Sequence, residues 1–199
     1  MKNYLKNRKI LEEGHAYSKS MEHDACGVGL IASTEGKKSR KVVEYGINAL
    51  KAVFHRGAVD ADGKTGDGAG IHLEIPSDFF REKIELTGHK HDGSEICVGM
   101  IFLPRNNYEA QENARTLVES ELTKSNFSIY GWRQVPVNTK VLGEKANFTR
   151  PEITQVLFKN NDKNLTGKSL ERKIYESRRK IEKEAIKNAL EGFYICSLS

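Results

Sequence analysis

A single thiol, Cys26, stands between the polar run Glu22-His23-Asp24-Ala25 and the glycine-spaced apolar run Gly27-Val28-Gly29-Leu30-Ile31. A cysteine becomes a nucleophile when something lowers its pKa, because the thiolate and not the thiol attacks. By type alone a free cysteine more often serves as a small buried hydrophobe, and both readings of Cys26 stand at this level. The other cysteines, Cys97 and Cys196, lie at spacings that match neither a zinc site nor a disulfide framework. Both fall in apolar runs that read as core strands. His89 and His91 lack acidic or thiol partners at ligand spacing and read as parts of a solvated loop, so no metal site is expected.

Two phosphate-binding strings nearly fit and fail on mechanism. Gly27-Val28-Gly29-Leu30-Ile31-Ala32 matches a dinucleotide fingerprint, but that fingerprint needs a strand before the glycines and a helix opening within them. Here a charged leader precedes them and an apolar, strand-like run contains them. Gly63-Lys64-Thr65 resembles the end of a P-loop, yet Gly57 is one residue too far upstream and position 58 is Ala. The downstream chain is glycine-rich and then strand-like, not a helix whose N-terminus could hold phosphate.

The elements that would position these residues alternate loosely between strand and helix. Gly27–Ser33 reads as a strand. Residues 39–54 read as a helix capped by Ser39, with Val42, Val43, Gly46, Ile47, Leu50, Val53 and Phe54 on one face. The glycine-rich stretch 61–70 cannot be a regular element. Ile71, Leu73 and Ile75 alternate with His72 and Glu74 as a half-buried strand does, and a short helix runs from Ser77 through Ile84. Further strands are expected at 96–103, 127–137, 153–158 and 193–198. Helices are expected from an Asn106/Glu109 capping box to Ser125, over 141–146 and from Lys168 to Leu190. This is an α+β chain with uncertain strand order.

Length and charge bound the function. The 199 residues suit one domain, and no apolar run approaches the length that spans a bilayer, so no membrane partner is expected. Unpaired cysteines fit a reducing compartment, read here as cytoplasmic. Residues 1–25 lack a secretory apolar centre and carry Glu12, Glu13, Glu22 and Asp24, which speaks against an acid-poor transit peptide. They read as a disordered leader or a pro-segment. The net charge of +5 comes largely from residues 159–199, which hold ten basic against six acidic side chains. There Glu176 precedes Lys180 by one helical turn, the favoured order for an ion pair, so a solvated helix face explains the excess better than nucleic-acid binding.

Taken together, Glu22-His23-Asp24-Ala25-Cys26-Gly27-Val28-Gly29, His55-Arg56-Gly57-Ala58 and the run from Ala61 to Gly70 resemble the amidotransferase domain at the front of glutamate synthase large chains. The resemblance continues through Val98 to Pro104, Gly131-Trp132-Arg133, Val135-Pro136-Val137 and Phe193 to Ser199. These are class II glutamine amidotransferases, which are N-terminal-nucleophile hydrolases. The resemblance implies a four-layer αββα sandwich, here incomplete at the C-terminus. Residues 1–25 become a pro-segment and 26–199 the front portion of the domain. It also implies cleavage before Cys26, which frees an α-amino group to act as the base for the thiol, and hydrolysis of glutamine to glutamate and ammonia through a thioester.

By the same resemblance Arg56, Asp67 and Gly68 support the substrate pocket. Arg56 could stabilise the thiolate, or it could form an ion pair with Asp60 or Asp62. Gly66, Gly68 and Gly70 are expected to permit the backbone path. No cofactor is expected on this chain; FMN and an iron–sulfur cluster are implied for the complete synthase. The expected partners are glutamine and the remaining synthase domains or a partner subunit. The family's oxyanion hole uses an Asn-Gly pair, and none occurs in the 199 residues, so the chain is expected to be incomplete or inactive on its own. Two further readings remain: a non-catalytic truncated module that binds a partner through an unpaired sheet edge, and a poorly folding remnant.

Overall fold

A computed structural model describes residues 2–14, 27–54 and 57–199. The chain divides into two compact units, one made of residues 1–59 and 67–71, the other of 60–66 and 72–199. Each is described by itself.

The first unit holds helix α1, Lys2–Glu13, and helix α2, Arg40–Ala52. Over these residues α1 replaces the disorder that one reading of the leader expected, and the reading of residues 1–25 as a pro-segment is left untouched by it. Ion pairs Arg8–Glu12 and Lys9–Glu13, each one turn apart, lie along it. Ser39 caps α2 as expected: its Oγ accepts from the Lys41 amide at 3.2 Å. The apolar face of α2 is present in sequence, yet no residue of the helix is buried. The expected strand at Gly27–Ser33 does not form. Val28 and Leu30 stand 95% and 89% exposed. A strand owns no hydrogen bonds of its own, and alternation cannot create one without a neighbouring edge.

The second unit is built on a four-stranded antiparallel sheet in the order β2-β3-β1-β4. The strands are β1 Ile96–Leu103, β2 Phe127–Gln134, β3 Glu152–Asn160 and β4 Tyr194–Leu198. Three longer helices and one short one accompany them: α3 Ser77–Leu86, α4 Tyr108–Lys124, α5 Glu144–Thr149 and α6 Gly167–Lys187. Period-two alternation sends Cys97, Ile101 and Leu103 to one face of β1, where Val156 and Phe158 of β3 join them. On α6, Leu170, Ile174, Ile181 and Ala185 recur at helical spacing, and Ala114, Val118 and Leu122 do the same on α4. Those two helices close the main core over that face. A smaller cluster joins Ile96, Val98, Tyr130 and Leu157 to Phe80 and Ile84 of α3.

Glycines fix two details of the sheet. A side chain at Gly99 would come within 2.6 Å of Leu198 Cδ1 and 2.7 Å of Val156 Cγ1, so the bare backbone is what lets the three strands interlock. Gly131, at φ +143°, sits where the β2–β3 register shifts, and Thr87 Oγ1 donates to the Tyr130 carbonyl beside it at 2.9 Å. Its neighbours have structural partners: Trp132 Nε1 donates to Glu119 Oε1, and Arg133 to Gln155 Oε1, both at 2.6 Å.

Several boundaries move. Asn107, not Asn106, caps α4, accepting from the Ala110 amide at 3.0 Å. A 3-10 turn at Thr139–Val141 and then α5 replace the expected helix at 141–146. Ile71–Ile75 is not a strand; Ile71 and Leu73 stay largely exposed. Glu176 pairs with Arg172, the turn before it, rather than with Lys180. Cys97 is buried as expected, but Cys196 is exposed, which corrects its placement in the core. The β1–β4 register shifts between Met100 and Ile101, at the level where β4 passes through Cys196, so the inward alternation breaks there. The α+β class stands, with helices on the sheet's faces.

Candidate active-site segment

Cys26 and Arg56, the expected nucleophile and its expected neighbour, lie outside the described residues. The chain beside them is described. The Gly57 amide donates to Phe54 O at 3.1 Å. Ala58 is then held by Asp67 at two points. The Asp67 carboxylate accepts from the Ala58 amide at 2.9 Å, and the Asp67 amide donates to Ala58 O at 3.2 Å. Asp67 is therefore a clamp on Ala58. Nothing approaches Gly68 or Gly70 within 4 Å of where a side chain would begin, and neither has a positive φ. In this structure neither glycine is required by crowding or by conformation.

In the second unit, residues 60–66 form a compact tongue. Asp60 N donates to Thr65 O at 2.7 Å, and the amide of Gly63, at φ +67°, donates to Asp60 O at 2.9 Å. Asp62 organises its interior. One carboxylate oxygen accepts from the amides of Lys64 at 2.9 Å and Thr65 at 2.6 Å, and the other accepts from Thr65 Oγ1 at 2.5 Å. These bonds, the Thr65 hydroxyl first, lower the Asp62 pKa to about 2. The tongue is seated on the start of α5. Lys145 Nζ binds Asp60 Oδ2 at 2.7 Å, and a side chain at Gly143 would collide with Thr65 Oγ1 and Asp62 Oδ2. The sequence reading gives 61–70 no regular structure and misses this seat. The available signal is an Asp three residues before a Thr around a glycine, the pattern of a side-chain-capped turn.

Several other polar groups have structural partners. Asp92 pairs with Lys159 and accepts from the Tyr130 hydroxyl at 3.3 Å, and the Lys159 bond, with those from Ser94, holds its carboxyl below the usual range. Burial, with the nearby Asp92 charge, pushes the Tyr130 phenol up to about 12. Burial does the same to the Cys97 thiol, which rises to about 12 and stays protonated. His91 bonds the Ser94 carbonyl at 2.8 Å within its own loop. Basic side chains of α6 pair along the helix, Arg178 with Glu182 at 2.8 Å and Lys187 with Glu184 at 2.5 Å. Among the described residues no cluster of His, Cys, Asp and Glu could hold a metal ion, and no helix is long and apolar enough to cross a membrane.

Comparison with known proteins adds what the described geometry cannot. The family "Glutamine amidotransferases class-II" matches residues 26–199. The chain is 52% identical over 193 residues to the glutamate synthase [NADPH] large chain of Azospirillum brasilense, covering 97% of this chain and 13% of that one. It is 38% identical over 182 residues to the ferredoxin-dependent glutamate synthase of Pyropia yezoensis, covering 89% and 12%. Against the chloroplastic ferredoxin-dependent glutamate synthase of Spinacia oleracea it is 36% identical over 180 residues, covering 89% and 11%. The chain thus spans only about an eighth of the length of such relatives.

Proposed function

Because the chain belongs to the class-II glutamine amidotransferases, we propose that it acts on glutamine through Cys26 as the amidotransferase part of a glutamate synthase. The observation that carries this reading is the start of the family match, which falls on residue 26 itself. In this reading the bond between Ala25 and Cys26 is cut and Cys26 acquires a free α-amino group. Such an amine titrates at about 7.7–8.0, so part of it is neutral at neutral pH and can take the thiol proton, through a water molecule. While that nitrogen is an amide it cannot be the base.

The thiolate then attacks the side-chain carboxamide carbon. The tetrahedral intermediate collapses with loss of ammonia, which carries off the proton held by the amine. A γ-glutamyl thioester remains, and water cleaves it to glutamate and the thiol. Asp67 holds Ala58 in place, and Arg56, two residues away, supplies positive charge near the thiolate. The four-layer αββα sandwich is part of the same reading. The helix-covered sheet of the second unit supplies one sheet and one helix layer of it. In the family's arrangement the oxyanion donors come from an Asn-Gly pair, which the 199 residues do not contain. Their share would be worth about 10²–10³ in rate.

A cytoplasmic setting and the company of further synthase domains belong to this proposal. So do FMN and an iron–sulfur cluster on other segments of a complete synthase. These residues do not fit a cluster, which needs several thiolates drawn together. Cys97 is buried and protonated and Cys196 is an exposed free thiol. The edge position of β4 suits the alternative of a partner-binding module, but a sheet edge by itself names no occupant.

Two measurements test the catalytic reading. Intact mass should show a mature chain beginning at Cys26. A glutamine-mimicking diazoketone should label Cys26 in a synthase carrying this segment, and Cys26→Ala should abolish both label and glutaminase turnover. Turnover that survives Cys26→Ala would remove the mechanism.

A further inference from the structure

We infer that the connector between α3 and β1 carries a histidine-operated latch: a proton taken up by His91 opens the loop 91–94 that fastens the connector to β2 and β3. His91 Nε2 lies 2.8 Å from the Ser94 carbonyl oxygen, which can only accept, so Nε2 carries a proton. The Gly93 amide donates to Nδ1 at 3.3 Å, so Nδ1 is bare. The closed loop therefore fits only the neutral ring, in one tautomer. A second proton must go onto Nδ1, where it meets the Gly93 N–H. Two donors then face each other, and the bond between them is lost.

What the loop holds gives this loss a consequence. Asp92 lies between the ring and Gly93. Its carboxylate accepts from the Ser94 amide at 3.1 Å and from the Tyr130 hydroxyl of β2 at 3.3 Å, and it pairs with Lys159 of β3. Opening the loop withdraws that carboxylate from both strands at once. Tyr130 belongs to the small apolar cluster that Phe80 and Ile84 of α3 share, so the latch fastens the chain that leaves that helix.

The other histidine of the connector behaves differently. Thr87 Oγ1 has one proton, and the carbonyls of Ile84 and Tyr130, at 2.7 and 2.9 Å, compete for it. Toward His89 Nδ1, 3.1 Å away, the hydroxyl therefore accepts, and that nitrogen already carries a proton. Charging His89 adds a proton at Nε2 and leaves this bond in place. The α3 end of the connector is thus indifferent to acid, and the His91 end is not.

The charges around His91 do not cancel the effect. On the connector stand His89, Lys90, Asp92 and Glu95, with Lys90 and Glu95 exposed. On α3, Arg81 pairs with Asp78 and Lys83 with Glu82, and Glu85 is exposed. Cys97 of β1 is buried and protonated. From β2 the uncharged Tyr130 ring faces His91 at 6.2 Å between centroids, and from β3 Lys159 Nζ lies 5.7 Å from the centre of the same ring. Asp92 is the carboxylate next to His91 in sequence, and Lys159 already occupies it, so a charged His91 finds no free counter-ion there.

The test is NMR of the 199-residue chain between about pH 8 and pH 5, following the rings of both histidines and of Tyr130 and the Gly93 amide. Variants are His91→Ala and His89→Gln, with slow exchange of the β1 and β3 amides confirming that each is folded. In the wild type the Gly93 and Tyr130 resonances should shift with the midpoint of the His91 ring. Protection of the Gly93 amide, corrected for the intrinsic pH dependence of exchange, should fall about five- to tenfold across that midpoint. His89→Gln should keep the transition. His91→Ala should show the low, acid-form protection at every pH and no transition. A His91 ring that titrates while Gly93 and Tyr130 stay still would overturn the latch. So would a ring that keeps its neutral shifts down to pH 5, a transition that survives His91→Ala, or one that disappears in His89→Gln.

Discussion

Asp62 shows how one exposed carboxylate can acquire a defined pH behaviour. Its pKa falls from the ordinary 3.8 to about 2 because the Thr65 hydroxyl, the Thr65 amide and the Lys64 amide all favour the charged form. A depressed folded-state pKa means that the anchoring is fully present above the unfolded value and is lost as pH falls through the folded one. The tongue should therefore hold unchanged down to about pH 4 and loosen between there and about pH 2. Amide chemical shifts of Lys64 and Thr65 should titrate with a midpoint near 2 in the wild type and stay flat over that window in Asp62→Asn. A wild-type midpoint at the ordinary carboxylate value would show that the bonds to Asp62 are not maintained in solution. Residue types are legible in a sequence, but the distances between them are not. Cys26 could be singled out from its neighbours in the chain, whereas the partner of Asp60 lies at position 145 and no local pattern points to it.

At the level of elements, legibility followed the range of the hydrogen bonds involved. α2, α4 and α6 satisfy their backbones internally, and Ser39 as a cap and the apolar spacing of Leu170, Ile174 and Ile181 could be read directly from the chain. Central strands with continuous apolar runs, β1 and β3, were legible for a related reason: both their faces are covered over much of their length. Gly27–Ser33 and Ile71–Ile75 have a similar apolar pattern, but their hydrogen bonds must come from another strand, and sequence does not say whether one is near. Gly99 is a position where packing between elements outweighs propensity. A glycine inside a strand ordinarily weakens it, yet here it makes room for Leu198 and Val156. Gly99→Ala should destabilise the second unit by about 1–3 kcal/mol through overpacking, measured by urea unfolding. A neutral or stabilising result would mean that β4 does not press on β1 as the close contact to Leu198 requires.

Across the whole molecule the two units differ in what they bury, and that difference sets where stability resides. The second unit has two apolar clusters, one closed by α4 and α6 over the sheet and one under α3. α2 in the first unit buries none of its residues, and Val28, Leu30 and Phe54 remain exposed. A helix of that length whose apolar face is only half covered is marginal in water, because nucleation costs more than a few turns of hydrogen bonding return. Local opening free energies should therefore span a wide range within one chain. In native-state hydrogen exchange the amides of Val98, Ile101, Leu157 and Phe158 should be the slowest, exchanging only through global unfolding of the second unit. Amides across Arg40–Ala52 should exchange orders of magnitude faster. If the chain is instead assayed within a synthase of the relatives' length, the proposed sandwich supplies cover for that apolar face, and protection across Arg40–Ala52 should rise while that of the sheet stays unchanged. Equal protection of α2 and the sheet in the isolated chain would mean that α2's face is fully covered in solution, where the structure leaves it only half-buried.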